Sequence, residues 1–205
     1  MALHRDLPAD TVAAVGADLL ARWSEPHRRY HTTTHLVEMF WALEDLLDAG
    51  ELAERDGQLA RLAAWFHDAH YDPAAQPGAN ERQSAELAAR HLVSLGLPTR
   101  DRETVQRLVR LTDGHEAPAG DPVATCFHDA DLWILSAPED RFDEYCAQVR
   151  EEYAFVDDAA YAQGRRGVLE PFVRRDHLYL TRLARREWEE SARDNLAREF
   201  ERLVA

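Results

Sequence analysis

Apolar residues recur at intervals of three and four along nearly the whole chain, and no stretch alternates apolar and polar residues between turn signals. That period stacks side chains along one face of a helix, so a chain written in it throughout has helix-on-helix packing as its route to a core. Leu19, Leu20 and Trp23 close a first amphipathic segment, about 10–24, before Pro26. From His35 to Ala49, the residues Leu36, Met39, Phe40, Leu43, Leu46 and Leu47 keep helical spacing up to Gly50. A third helix is read from Leu52 to Tyr71, with Leu59, Leu62, Ala63 and Phe66 on one face and Asp72-Pro73 as its end.

The clearest break is the stretch from Pro73 to Ala79, which carries Pro77 and Gly78. Asn80 with Gln83 has capping-box spacing for a helix to Leu95, and Gly96 stops it. Further helices are read at about 99–112, 123–135, 136–156 (capped by Ser136 with Glu139), 158–175 and 179–203. The expectation is an all-α domain of roughly eight helices spanning residues 1–205. Trp23, Phe40, Trp41, Trp65 and Trp133 sit at helical spacing and are expected in the core. The last helix, with Leu183, Trp188, Leu196, Phe200 and Leu203, is expected to pack on the bundle, a homodimer seam being the other use of that face.

Composition narrows the function. With 24 basic against 38 acidic residues the net charge is −14, a field that repels a nucleic-acid polymer but leaves room for a small phosphate ester beside a cation. The chain has no lysine, so Schiff-base catalysis on a lysine and a phosphate-binding P-loop are both excluded. Two cysteines, Cys126 and Cys146, make no disulfide framework. The residues MALHRDLPADTV contain no apolar leader, and no run approaches the roughly 20 residues that span a bilayer. The expected place is the cytoplasm.

Ten histidines are many for this length. His4, His27, His91 and His177 stand alone and read as ordinary surface or core residues. His31 and His35 have one-turn spacing, but Thr32 stands where a zinc protease of the HExxH type needs glutamate. Phe-His-Asp-Ala occurs twice, at 66–69 and 127–130. The first copy has Asp72 one helical turn after Asp68 and His35 upstream, so His67-Asp68 is the better metal centre; the second copy is read as bringing the final carboxylate, Asp131 in preference to Asp129. Two imidazoles and two carboxylates suit one divalent ion among Mn²⁺, Fe²⁺, Ni²⁺, Mg²⁺ and Zn²⁺. Asp72 would then stand near the attacking water as general base.

Taken in order, these blocks resemble the HD-domain metal-dependent phosphohydrolase superfamily, whose signature is H…HD…D. The likeness is nearest to its small bacterial subfamily of predicted HD phosphohydrolases, through Arg29-Tyr30-His31 and His35, Trp65 to Asp68, Tyr71-Asp72-Pro73, Asn80-Glu81, Thr112 with His115, and Asp129 to Leu132. The matching blocks cover about 28–135, with Glu152-Tyr153 and Gly164-Arg165 beyond; the helices of 138–205 would pack on that core. The resemblance implies an HD-domain-like helical bundle, metal binding by His35, His67, Asp68 and Asp131, and hydrolysis of a small phosphorylated substrate, often a nucleotide. Several members carry glutamate just after the HD pair where this chain has Tyr71-Asp72. That departure supports the alternative of an HD-fold regulatory module that binds a nucleotide or metal without turnover.

The remaining candidates have a structural and a chemical reading each. Glu81 either complements a helix dipole or is brought over the metal by the loop before it, as a second catalytic carboxylate. His115 either caps a helix end or contacts phosphate; ligation of a second metal is the less favoured use. Arg29 is the first choice for a phosphate clamp, since without lysine that task falls to arginine.

Overall fold

The computed structural model describes residues 7–204, and His4 and the leader expectation for residues 1–6 lie outside them. Ten α-helices and one 3-10 segment follow one another, with no strand among the described residues: α1 (Ala9–Trp23), α2 (Thr33–Asp48), α3 (Glu54–His67), α4 (Ala79–Ser94), α5 (Thr99–Leu111), α6 (Pro122–Asp131), the 3-10 segment Leu132–Ser136, α7 (Glu139–Glu152), α8 (Asp158–Arg174), α9 (Arg182–Glu187) and α10 (Glu189–Arg202). The all-α class is as expected. The count is higher because the long last segment divides at Trp188, whose ring is buried against Tyr179, and because 123–135 ends in the 3-10 segment.

Helix α3 is the hub, packing against α2, α4, α5 and α6. Its inward face is Ala60, Ala63 and Ala64, all fully buried, and short side chains let four neighbours close around it. A Cβ on Gly57 would stand 2.8 Å from a Leu47 methyl, so glycine there lets the Leu47 side chain of α2 rest directly on the α3 backbone. Around this hub, Leu36, Met39, Leu43, Leu46, Leu92 and Leu108 are removed from solvent, each contributing about 2 kcal/mol of apolar burial.

The C-terminal third is held by polar latches. Asn195 donates to the carbonyls of Leu135 and Ala137, and the Tyr179 hydroxyl donates to the carbonyl of Leu132. Helix α10 thereby seats on the 3-10 segment, and its Ala192 and Leu196 are buried inside the bundle.

Four local readings need correction. Helix α3 stops at His67, four residues before Tyr71, because tertiary donors take the carbonyls that would continue it: Trp23 Nε1 donates to Trp65, and the Arg28 guanidinium donates to Asp68 and Ala69. Asn80 does not cap α4, since its amide clasps the backbone of Asp72 in both directions; Gly78, at φ +71°, takes the N-cap position. The Ser136 hydroxyl turns back to Trp133, leaving α7 to start at Pro138 without a side-chain cap. Trp41 is 62% exposed and outside the core, while Trp23 is buried and Phe40, Trp65 and Trp133 are partly so. Cys126 and Cys146 are free and buried, and among the described residues no helix is long and apolar enough to cross a membrane.

Candidate metal centre

Three elements deliver side chains to one point. His35 comes from the first turn of α2, His67 is the last residue of α3, and Asp68 is the C-cap immediately after it. The Nε2 atoms of His35 and His67 face each other at 3.2 Å, and Asp68 Oδ2 lies 3.0 Å from the latter and 3.9 Å from the former. Asp131, the last residue of α6, places Oδ1 3.3 Å from His35 Nε2 and 3.4 Å from His67 Nε2.

The other ring nitrogens explain why these atoms face inward. His67 Nδ1 donates to the carbonyl of Ala64 (2.8 Å), so in the neutral ring Nε2 carries the lone pair. His35 Nδ1 is hydrogen-bonded to the Tyr30 hydroxyl (2.9 Å), and the Trp23 ring packs behind both imidazoles. Ligands held by outer partners in this way are preoriented for a cation. Two donors about 2.1 Å from an ion and at right angles stand about 3.0 Å apart, close to the spacing found here. The buried His35–His67–Asp68 group can therefore hold a metal ion.

Electrostatics agree with the geometry. Burial alone would depress the pKa of His67, but Asp68 and Asp131 outweigh it and hold the proton well above the usual histidine range. Burial likewise opposes ionisation of Asp131, yet His67 and His35 keep its carboxyl well below the ordinary value. The same balance, led by His67, lowers Asp68. The centre thus concentrates negative charge that either protons or a cation must neutralise.

This cluster forms part of the wall of a cavity of about 530 Å³ that is also lined by α7, α8, the start of α4 and the 3-10 segment. Glu81 and His115 line the same cavity, and each has a buried polar atom without a hydrogen-bond partner, Glu81 Oε2 and His115 Nδ1, the latter 3.7 Å from Asp131 Oδ2. Burial, with Asp113 and Asp68 nearby, raises the pKa of Glu81 against the pull of its own backbone N–H. Burial lowers that of His115 to about 4, so its ring is neutral at physiological pH. His115 also has φ +48°, a left-handed conformation costly for a side chain with a Cβ; its carbonyl is held there by Arg175 (3.1 Å).

Other expected site residues lie elsewhere. Asp72 is exposed and not on a helix with Asp68; its carboxylate accepts from Ala74 N, and it does not line the cavity. The side chain of Arg29 points outward to Glu151 and the carbonyls of Pro26 and Arg28. His31 precedes α2 and shares no helix face with His35, yet it lines the cavity with Nε2 4.0 Å from Asp68 Oδ2. Asp129 is fully buried away from the cluster, accepting from the N–H groups of Leu180 and Thr181 and pairing with His128, so the second Phe-His-Asp-Ala is a structural latch.

Glu152, at the end of α7, matters more than its place in the sequence suggests. Its Oε1 accepts from the backbone N–H of Arg29, Tyr30 and His31, and its Oε2 from His31 Nδ1 and the Tyr71 hydroxyl. That clamp fixes the loop that presents Tyr30 to His35. Burial would raise its pKa, but the hydrogen bond and charge of His31, with the N–H groups of Arg29 and His31, bring it down to about 2. A carboxylate with a depressed pKa stabilises the fold above its unfolded value and loses that contribution as the pH falls toward the folded one. Glu152→Gln is expected to cost on the order of 3 kcal/mol at neutral pH, read by denaturant unfolding. The wild type should converge on the variant between about pH 4.5 and about pH 2. A variant as stable as wild type at pH 7 would refute the clamp.

No protein-family model matches the chain, and no curated protein matches it in sequence.

Proposed function

We propose that this protein is a metal-dependent phosphohydrolase of HD-domain type acting on a nucleotide or another small phosphate ester. The observation that carries the reading is the meeting of His35, His67, Asp68 and Asp131 at a cavity that Glu81 and His115, each with an unpartnered buried polar atom, also line. His35, His67 and Asp68 would hold the ion with Asp131 beside them. When bound, such an ion lowers the pKa of water and polarises a phosphoryl oxygen.

The chain's own groups have separable tasks. In hydrolysis, water oxygen bonds to phosphorus, the ester P–O bond breaks, and the alcohol leaves with a proton. Glu81, in the first turn of α4 and raised in pKa, would take the proton from water and return it to the leaving oxygen. His115, neutral, offers Nδ1 to a phosphoryl oxygen. Asp72, the acid first expected in Glu81's role, faces solvent and is assigned no step. The aromatic rings of Tyr71, Tyr145, Tyr153 and Tyr161 line the rest of the cavity and suit a flat base.

The test joins elemental analysis with phosphate release on one preparation supplied with Mn²⁺ or Ni²⁺ and a nucleotide panel. Bound metal with release from at least one substrate is the expected result. Metal with ligand-induced thermal stabilisation and no turnover would replace the hydrolase with the binding-module reading. Neither metal nor turnover would overturn both.

A further inference from the structure

The cavity wall formed by α8 carries a group that the metal chemistry leaves unused. Arg165 is 9% exposed and lines the cavity, and its Nε and Nη2 have no hydrogen-bond partner. A buried guanidinium is costly unless its N–H groups are met. Its nearest carboxylate, Glu199 of α10, stands off at 3.8 Å and also faces Arg202 at that distance. The other arginine buried among the described residues closes its pair: Arg28–Glu25 at 3.0 Å. Glu199 therefore supplies charge balance to Arg165 and Tyr145 an interaction of its hydroxyl, and Nε and Nη2 remain unmet.

Two further observations point to a ligand. The Tyr161 hydroxyl, one helical turn before Arg165 on the same cavity wall, is also buried without a partner. The Tyr145 ring lies 4.9 Å from the guanidinium carbon, which fixes the fork in place. From Tyr145 the wall continues to the Tyr30 ring (4.5 Å) and on to the His35 ring (4.7 Å). Arg165 is thus separated from the His–Asp cluster by two aromatic rings, and a ligand lying along them would reach both. In a chain without lysine, arginine is the donor that can bind an oxyanion bidentately.

We infer that Arg165, with the hydroxyl of Tyr161, forms a second oxyanion subsite that takes a phosphate or carboxylate at the end of a ligand remote from the His–Asp cluster. That this ligand is a substrate rests on the phosphohydrolase reading; the binding of an oxyanion by Arg165 does not. The test uses full-length protein treated with EDTA, titrated separately with phenyl phosphate and benzoate and followed by tyrosine fluorescence and thermal shift. Saturable binding of one or both is expected, weakened roughly tenfold or more in Arg165→Gln, intermediate in Arg165→Lys, and unchanged in His91→Ala. The stronger probe identifies the oxyanion. No binding to the wild type up to about 10 mM, or equal binding by Arg165→Gln, overturns the subsite. If Arg165→Gln fails to fold, Tyr161→Phe decides: weaker binding supports the subsite and unchanged binding removes it. A wild type that binds the probes yet hydrolyses nothing would cost the phosphohydrolase reading and leave the subsite standing.

Discussion

His67→Ala is expected to reduce bound metal to background and to lower kcat for phosphate release by about three orders of magnitude or more, equal to about 4 kcal/mol of transition-state stabilisation. His67 Nε2 lies within 3.4 Å of His35, Asp68 and Asp131 alike, so its removal breaks three contacts of the cluster and leaves His35 with Asp131 and the longer approach to Asp68. It would also leave two buried carboxylates with less compensation, which favours their protonation over metal binding. Because truncation opens space beside the Trp23 ring, Asp68→Asn is the companion variant. It preserves shape, removes one anionic ligand, and should lose metal and turnover together. Metal analysis and phosphate release on folded samples, checked by circular dichroism, decide the matter. A folded His67→Ala protein that keeps wild-type metal content would refute the proposed centre.

The helical class and the meeting of His35 with His67 and Asp68 were legible because each depends on local pattern. Spacing puts His35 at the start of one apolar helix and His67 within the last turns of the next, read to Tyr71, and antiparallel neighbours bring such ends together. What was illegible depends on partners distant in sequence. The end of α3 is set by Trp23 and Arg28, more than 30 residues away, and no propensity at residues 68–71 announces it. Once α3 stops at His67, the one-turn relation between Asp68 and Asp72 disappears, and with it the reason to place Asp72 over the metal. The two Phe-His-Asp-Ala copies differ for the same reason. One straddles a helix end that opens on the cavity; the other lies within α6, covered by residues 180–181. Glu152 belongs, with Tyr153, to a block of the resemblance, but nothing in Arg-Glu-Glu-Tyr gives it a task, and only the fold brings residues 29–31 within its reach.

The assignment of the proton to Glu81 over Asp72 gives the second large effect. Glu81→Gln keeps the volume and the first-turn position in α4 but removes the ionisable oxygen, so metal content and KM should change little while kcat falls about 10²- to 10⁴-fold. The pH profile separates this from a structural defect. A base acts deprotonated, so wild-type kcat should fall as the pH drops through the Glu81 pKa, and burial with Asp113 and Asp68 places that fall above the ordinary glutamate range. In Glu81→Gln the residual rate should lack that acidic limb. Asp72→Asn should retain turnover within about twofold, since its carboxylate serves only the local turn with Ala74 and lies outside the cavity. The opposite pattern, with activity lost in Asp72→Asn and kept in Glu81→Gln, would mean that the loop of residues 68–78 rearranges when substrate binds. The Asp72–Asn80 clasp would then have to open, since its two hydrogen bonds hold that loop against the first turn of α4.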